Sequence, residues 1–152
     1  MARKRFVDLS ISIEPELPSD PPMMIPKVDY INHEMGAEQM KEFYPGVRKE
    51  QLPGGLGWAL EFLTLTTHSG THLDAPYHYH PTMAKEFKEN GDPKVIWEAH
   101  FAGIDIGYCH MEKMANLAAI GRPYGFTICC FPVKIKGASA GWTRPVAIID
   151  ED

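Results

Sequence analysis

Three histidines and one aspartate stand at positions of the same parity within one short stretch: His68, His72, Asp74 and His78. In an extended backbone, residues of equal parity leave from one face of the strand. In an α-helix, by contrast, Asp74 would point well away from His72. Gly70 and Pro76 also disfavour a regular helix. The stretch therefore predicts a strand end that runs into a kinked loop and gathers the four side chains around a metal ion.

The residue types in this stretch suit metal chemistry. Neutral imidazole is a common protein ligand for zinc and manganese, and an aspartate adds charge and can bridge two ions. Gly70 lets the backbone approach closely, and the Thr71 hydroxyl can donate a hydrogen bond next to the ligands. His78 follows a proline and is free to act as an acid or base. The alternative is a histidine-rich surface loop without an ion, but four groups of matching parity around a glycine and a proline favour the metal site.

The string H-S-G-T-H-L-D-A-P-Y-H over residues 68–78 resembles the H-x-G-T-H-x-D-x-P-x-H signature of the metal-dependent cyclase family. That family includes kynurenine formamidase (arylformamidase) and isatin hydrolase. The resemblance implies an α/β fold of the swivelling β/β/α type, a homo-oligomer, and one or two zinc or manganese ions. By motif position, it implies that His68, His72 and Asp74 bind the first ion. It also implies that His78 donates and accepts the proton.

A second pair of candidate ligands is His100 and Glu112. A straight helix would set them about 18 Å apart, so they converge only if the backbone turns between them, which Gly103 and Gly107 permit. From the residues alone, a partly exposed histidine and a glutamate on a helix surface are favoured. The cyclase family, however, has a histidine followed at this spacing by a glutamate that opens an E-x-x-x-N-L segment, which residues 112–117 match. The resemblance thus implies that Asp74, His100 and Glu112 hold a second ion.

The other polar candidates carry weaker signals. His80 has the right parity but lies outside the signature, and we expect an exposed side chain. His33 and His110 belong to no motif, and His110 is predicted on a helix surface. Ser139 is a further candidate nucleophile, because residues 137–141 read G-A-S-A-G and have the G-x-S-x-G spacing of a nucleophile elbow. We nevertheless predict a tight loop whose amides line the pocket.

Hydrophobic periodicity gives the remaining elements. It predicts strands over 6–13, 58–67, 126–135 and 144–149, and helices over 34–43, 84–90 and 110–120. Five prolines predict an irregular loop over 14–26, and Pro53-Gly54-Gly55 predicts a turn. Residues 94–99 fit a helix and a strand equally well.

Composition limits the classes of protein to which this chain can belong. A length of 152 residues, with 44% hydrophobic residues, predicts a single domain, 1–152. The net charge of -5 gives no basic surface for nucleic acid, and no apolar run is long enough to cross a membrane. No apolar signal core follows the basic residues 1–5, so we expect a cytoplasmic protein that acts on a small molecule. Three cysteines, an odd number, predict reduced and mostly buried thiols.

The resemblance covers two parts of the chain, 1–83 and 84–152. A long middle segment that is usual in the family is missing between them, with the join near Met83-Ala84, so we expect a shortened domain. The family also often has a Trp-Pro-Gly-Asp type of element that helps to hold substrate. The corresponding place here reads Leu17-Pro18-Ser19-Asp20.

The resemblance implies the hydrolysis of a small aryl formamide or cyclic amide, of the arylformamidase or isatin hydrolase type. The metal would lower the pKa of water and polarise the substrate carbonyl, and His78 would pass a proton to the leaving nitrogen. The alternative function is that of a catalytically inactive, shortened relative, which acts as a structural or partner subunit.

Overall fold

A computed structural model describes residues 3–79 and 106–151 of the chain. The described strands are β1 (Arg3–Asp8), β2 (Lys27–Ile31), β3 (Leu60–Thr64), β4 (His72–Asp74), β5 (His110–Glu112), β6 (Thr127–Cys129), β7 (Ala140–Trp142) and β8 (Val146–Glu151). The described α-helices are α1 (His33–Phe43) and α2 (Pro76–Tyr79). Short 3-10 helices cover Pro22–Met24, Lys49–Gln51, Pro53–Gly55 and Leu117–Ile120. The predictions for His80, His100, the segments 84–90 and 94–99, and the join near Met83-Ala84 all lie outside the described residues.

The first sheet joins the two ends of the described chain. Its strand order is β1-β8-β6, and β8 pairs antiparallel with both neighbours. Alternate residues of these strands point inward, as the period of two requires. Ala147 and Ile149 of β8 point into a buried core, which Leu9, just after β1, and Ile120, in the 3-10 helix, complete. The predicted strand over 144–149 is confirmed as β8, whereas the strand predicted over 6–13 is formed only at residues 6–8, because β1 covers Arg3–Asp8.

The predicted strand over 126–135 is only partly formed. The structure pairs residues 127–129 with β8, and the chain leaves the sheet before Pro132. A proline has no backbone N–H to donate to a strand ladder, which limits a regular strand there. Val133 still donates its N–H to the carbonyl of Trp142, at 2.9 Å, so the segment runs beside β7 without forming a regular ladder.

Helix α1 follows the prediction within one residue. The side chain of Asn32 accepts a hydrogen bond from the backbone N–H of Met35, at 2.9 Å, and so caps the helix start. The helix connects β2 to a segment that leads into β3, and these two strands form an antiparallel pair. The predicted strand over 58–67 is confirmed for its central part, Leu60–Thr64.

The third sheet has the order β5-β4-β7 and carries the stretch around His72. It contradicts the helix predicted over 110–120, because residues 110–112 form strand β5 against β4. Lys113 and Asn116 both have left-handed backbone conformations, with φ of 54° and 56°, which a continuous α-helix does not accommodate. Only a 3-10 turn at Leu117–Ile120 remains of the predicted helix.

Two further predictions concern membrane-spanning segments and the cysteines. In the described part of the chain, no helix is both long enough and apolar enough to cross a membrane. Cys109, Cys129 and Cys130 are all free thiols, as predicted. Their expected burial is wrong, because Cys109 is exposed and the other two are only half-buried.

Candidate metal centre

The centre of the site lies on strand β4. His72 and Asp74 lie on one face of β4, and both side chains are fully buried. On the neighbouring strand, Glu112 pairs with His72 and His110 pairs with Asp74. Residues directly opposite each other on adjacent strands have side chains on the same face. The sheet therefore gathers two imidazoles and two carboxylates from β4 and β5 on one surface.

The strand predicted for the stretch is confirmed only around His72 and Asp74. His68 lies in a turn over residues 67–70, and His78 lies on the one-turn helix α2, which starts at Pro76. Proline suits the first position of a helix, because its missing N–H would have no partner there. His68 and His78 therefore reach the site from a turn and a helix, and not by strand parity.

The imidazole of His72 is fixed in one tautomer. Its Nδ1 lies 2.8 Å from the carbonyl oxygen of Gly70, and because a carbonyl only accepts, Nδ1 carries the hydrogen. In the neutral ring Nε2 then holds a lone pair. It faces Oδ1 of Asp74 at 3.3 Å and Oε2 of Glu112 at 3.6 Å. Nε2 makes no hydrogen bond within the described part of the chain. Three electron-rich atoms thus converge, which favours a cation between them.

The contacts between His72 and Asp74 also shift the pKa values of both groups. Burial lowers the pKa of His72, but the contacts with Asp74 and the Gly70 carbonyl outweigh it and raise the pKa overall. Burial raises the pKa of Asp74, but the imidazoles of His72, His78 and His68 bring it below its usual value. The site therefore attracts positive charge, and a proton and a metal ion compete for it.

His68 lies between Asp74 and a serine. Its Nδ1 is 3.1 Å from Oδ1 of Asp74, and its Nε2 is 3.1 Å from Oγ of Ser139. Burial, followed by the nearby His78, lowers the pKa of His68, which favours the neutral ring that binds metals. The Ser139 carbonyl also accepts a hydrogen bond from the N–H of Ala75, at 2.9 Å. The loop predicted around Ser139 thus meets the site through a side chain, a contact that the sequence analysis missed.

His78 stands at the edge of the cluster. Its Nε2 is 3.9 Å from Oδ2 of Asp74, and its ring centroid is 4.1 Å from that of His68. The His78 side chain is 30% exposed, whereas that of Asp74 is fully buried. A histidine in this position can reach both the buried carboxylate and solvent.

The prediction for His110 is wrong. It does not lie on a helix surface, because its strand β5 sends the ring into the site. Nε2 of His110 is 3.0 Å from Oε1 of Glu112 and 3.5 Å from Oδ2 of Asp74, and Nδ1 is 2.9 Å from the hydroxyl of Tyr79. Burial raises the pKa of Tyr79, so this phenol keeps its proton. The missed signal is the alternation His110-Met111-Glu112, which repeats the polar–apolar–polar pattern of β4.

A buried ion pair lies beneath the turn that carries His68. Nζ of Lys113 is 2.6 Å from Oδ1 of Asp20 and 2.7 Å from the carbonyl oxygen of His68. The Asp20 carboxylate also accepts from the N–H of Gly70, at 3.2 Å. Asp20 thus fastens the turn that carries His68. Thr71 donates to the Lys113 carbonyl at 2.7 Å and accepts from the N–H of Ile11, so its hydroxyl also serves the scaffold.

The described residues contain two sets of side chains that could hold a metal ion. In each set the ligand atoms lie within 4.8 Å of one another, and Asp74 is common to both: His68, Asp74 and His78 in one, His72, Asp74 and Glu112 in the other. Imidazole and carboxylate donors fit zinc and manganese. The structure therefore brings together His68, His72, Asp74 and Glu112, with His78 beside them, while His100 lies outside the described residues. Their individual roles stay predictions.

Comparison with known proteins gives the class that this fold and site define. The model of the Cyclase family, described as "Putative cyclase", matches residues 7–119, which is most of the chain. The chain therefore belongs to the Cyclase family. The matched range includes all the described residues of both candidate metal sets. No curated protein matches the sequence.

Solved structures show the same fold. Isatin hydrolase A from Ralstonia solanacearum is similar at a TM-score of 0.64 and 15% identity, over 97% of this chain and 92% of that one. Isatin hydrolase A from Labrenzia aggregata, bound to benzyl benzoate, gives the same TM-score and identity over 97% and 94%. A predicted metal-dependent hydrolase from Bacillus stearothermophilus has a TM-score of 0.54 at 14% identity, over 97% and 99%. The predicted cyclase-like α/β fold is thus confirmed.

Proposed function

We propose that this protein is a metal-dependent hydrolase that cleaves the C–N bond of a small aryl formamide or cyclic amide. The observation that carries the proposal is the pair of candidate metal sets that share the buried Asp74. Membership of the Cyclase family supports it, as does the likeness of the fold to isatin hydrolase A. The substrate is a small molecule, and the net charge of -5 argues against nucleic acid as a partner.

The residues that would hold one or two zinc or manganese ions are His68, His72, Asp74, His100 and Glu112. When bound there, such an ion supplies Lewis acidity, which makes water more acidic and polarises a carbonyl group. The protein contributes the geometry, because the Gly70 carbonyl holds the His72 ring in the tautomer that presents a lone pair. The burial of Asp74 and His72 excludes bulk water and so strengthens every electrostatic interaction in the site.

His78 is suited to move the proton. In amide hydrolysis the oxygen of water joins the carbonyl carbon, the C–N bond breaks, and the leaving nitrogen takes up a proton. The His78 ring lies against His68 and near Asp74 and is partly exposed, so it can accept the proton from water and deliver it to the nitrogen. In this proposal His78 carries the proton and is not the third ligand of the set that it forms with His68 and Asp74, so its ring can change protonation state during each turnover.

The test is turnover of N-formylkynurenine and of isatin by the full chain, with and without added zinc or manganese. We expect metal-dependent hydrolysis of at least one of them, and a loss of about 10²- to 10⁴-fold in kcat for His78→Ala. His33→Ala is the matched control, because His33 hydrogen-bonds the Gly57 carbonyl far along the chain from the site residues. Bound metal without any turnover would instead favour the inactive subunit.

We also propose that the protein is a cytoplasmic homo-oligomer. Phe131 and Val133 are large apolar side chains of equal parity beside β7, and they are 83% and 53% exposed. Exposed apolar surface of this kind favours association. Light scattering on the eluting protein in size-exclusion chromatography should give a multiple of the chain mass, and a monodisperse monomer would contradict the oligomer.

A further inference from the structure

A line of three side chains leads from helix α2 to the metal centre. The hydroxyl of Tyr79 lies 2.9 Å from Nδ1 of His110, and Nε2 of His110 lies 3.0 Å from Oε1 of Glu112. The rings of Tyr79 and His110 stack, with centroids 5.4 Å apart and an interplanar angle of 13°. The His110 side chain is 19% exposed. The His110 ring is therefore held from two sides, by Tyr79 at Nδ1 and by Glu112 at Nε2.

The direction of each hydrogen bond follows from the chemistry of the groups. The Glu112 carboxylate can only accept, so Nε2 of His110 carries the hydrogen in this contact. In the neutral ring Nδ1 then holds a lone pair and must accept. The phenol of Tyr79, which keeps its proton, supplies the donor. In the neutral His110 ring, each of the two nitrogens thus has a hydrogen-bond partner, Tyr79 at Nδ1 and Glu112 at Nε2.

The two oxygens of the Glu112 carboxylate have different partners. Oε1 is taken by His110, whereas Oε2 faces Nε2 of His72 at 3.6 Å. We infer that His110 is a positioning residue, which holds Oε1 of Glu112 and thereby presents Oε2 to the metal centre. Tyr79 acts one step further out by fixing the tautomer of His110. The inference rests on the proposed metal site but is independent of the substrate.

A role as a metal ligand would require the opposite tautomer. To bind an ion through Nε2, neutral His110 would have to carry its hydrogen on Nδ1 and give up the donation to Glu112. Among the described residues, neither candidate metal set includes His110, although it lies next to both carboxylates. Carboxylates that bind a metal ion are themselves commonly hydrogen-bonded by a neighbouring group, and the loss of such a partner typically weakens metal binding about 10- to 100-fold.

The tautomer can be measured in the metal-free chain. Two-bond ¹H–¹⁵N correlation spectra of the ¹⁵N-labelled protein, recorded at a pH at which His110 is neutral, separate the protonated from the unprotonated ring nitrogen. We expect His110 to carry its hydrogen on Nε2. We also expect Tyr79→Phe to shift Nδ1 towards the position of a nitrogen without a hydrogen bond. A Nδ1–H tautomer, or an equal mixture of the two, would overturn the inference.

Metal affinity provides the second readout. Competition titration of the full chain with a chromophoric chelator and zinc should show about 10- to 100-fold weaker binding for His110→Ala. His110→Gln keeps an N–H donor for Oε1 and should recover most of the affinity. His33→Gln and Tyr44→Phe, at exposed positions of α1 and its end, are the controls and should bind like the wild type. A glutamine variant as weak as the alanine variant, or an alanine variant as tight as the wild type, would contradict the positioning role.

Both readouts are made without substrate, so they separate this inference from the proposed function. A chain that shows the expected tautomer and affinity pattern but hydrolyses no amide would retain the inference and lose the hydrolase. A chain that hydrolyses isatin but carries the His110 hydrogen on Nδ1 would retain the hydrolase and lose the inference. If His110→Ala fails to fold, Tyr79→Phe and His110→Gln still decide the question, because both preserve the size of the side chain.

Discussion

Asp74 is the residue on which the site depends, because its two buried oxygens meet side chains from several segments. Oδ1 is close to His68 and His72, and Oδ2 is close to His78 and His110. The parity of the sequence predicted the positions of His72 and Asp74, since the backbone is extended there. It could not predict His110, because the apolar residues after it have helical spacing and conceal a strand of three residues.

Asp8 gives a prediction about pH at the scale of one residue. Its pKa is lowered from 3.8 to about 2, first by the hydroxyl and backbone N–H of Ser10 and then by Arg144. A lowered pKa in the folded state contributes stability that is present above the unfolded pKa, near 3.8, and is lost as the pH falls through about 2. Because the Asp8 side chain is 38% exposed, we expect an effect of less than about 1 kcal/mol.

The variant that tests this prediction is Ser10→Ala, which removes the first of these interactions. We expect the pKa of Asp8 to rise towards its ordinary value, and the free energy of unfolding to fall slightly at pH 5 but not at pH 2. The measurement is a ¹³C NMR titration of the side-chain carboxyl, together with urea unfolding at both pH values. Ser19→Ala, a change near a different carboxylate, serves as the control. An unchanged pKa of Asp8 would contradict the assignment of its cause.

At the scale of elements, the turn over 67–70 shows what the motif could and could not reveal. The sequence marked Gly70 as a place of close approach, and the structure confirms it with a φ of +62° and a virtual Cβ 2.3 Å from Cδ1 of Ile13. The turn itself was not predicted, because the ion pair that fastens it joins Asp20 and Lys113, which are 93 residues apart in the chain. Single-sequence patterns report local periodicity and carry no signal for such a distant pair.

Gly70→Ala should destabilise the protein through both strain and contact. A left-handed backbone costs a residue with a Cβ about 1 to 2 kcal/mol, and the methyl group also displaces the Ile13 side chain. Gly137→Ala is the matched control, because Gly137 has a φ of +72° but nothing within 4 Å of the virtual Cβ. Urea unfolding should show the larger loss for Gly70→Ala. Equal losses for the two variants would mean that the approach of Ile13 has no energetic effect.

Lys113→Met should be among the more destabilising single changes. It removes the partner of the Asp20 carboxylate, which is fully buried, and an uncompensated buried charge costs about 3 to 5 kcal/mol. The double variant Asp20→Leu/Lys113→Met should recover a large part of this loss. Lys4→Met is the control, because the Lys4–Asp150 pair is exposed and should contribute no more than about 1 kcal/mol. A loss for Lys113→Met as small as that of Lys4→Met would refute the role of the buried pair.

At the scale of the whole molecule, the family signature predicted more than periodicity did. It led to the cyclase-like α/β fold, which the family match and the solved structures confirm. It also singled out Glu112, which periodicity had placed on a helix and which strand β5 brings opposite His72. Periodicity placed β8 and α1 correctly, because these elements are long enough to show a pattern, but for β1 it matched only residues 6–8. It failed for β5, where pairing with β4 decides the conformation.

The most direct test of the account is the number of metal ions that the chain retains. After equilibrium dialysis against zinc or manganese, elemental analysis of the wild-type protein should find at least one ion per chain. Asp74→Asn should retain none, because both candidate metal sets contain Asp74, whereas Glu112→Gln changes only one set. A wild-type chain that retains neither metal, or an Asp74→Asn chain that retains as much as the wild type, would contradict the account.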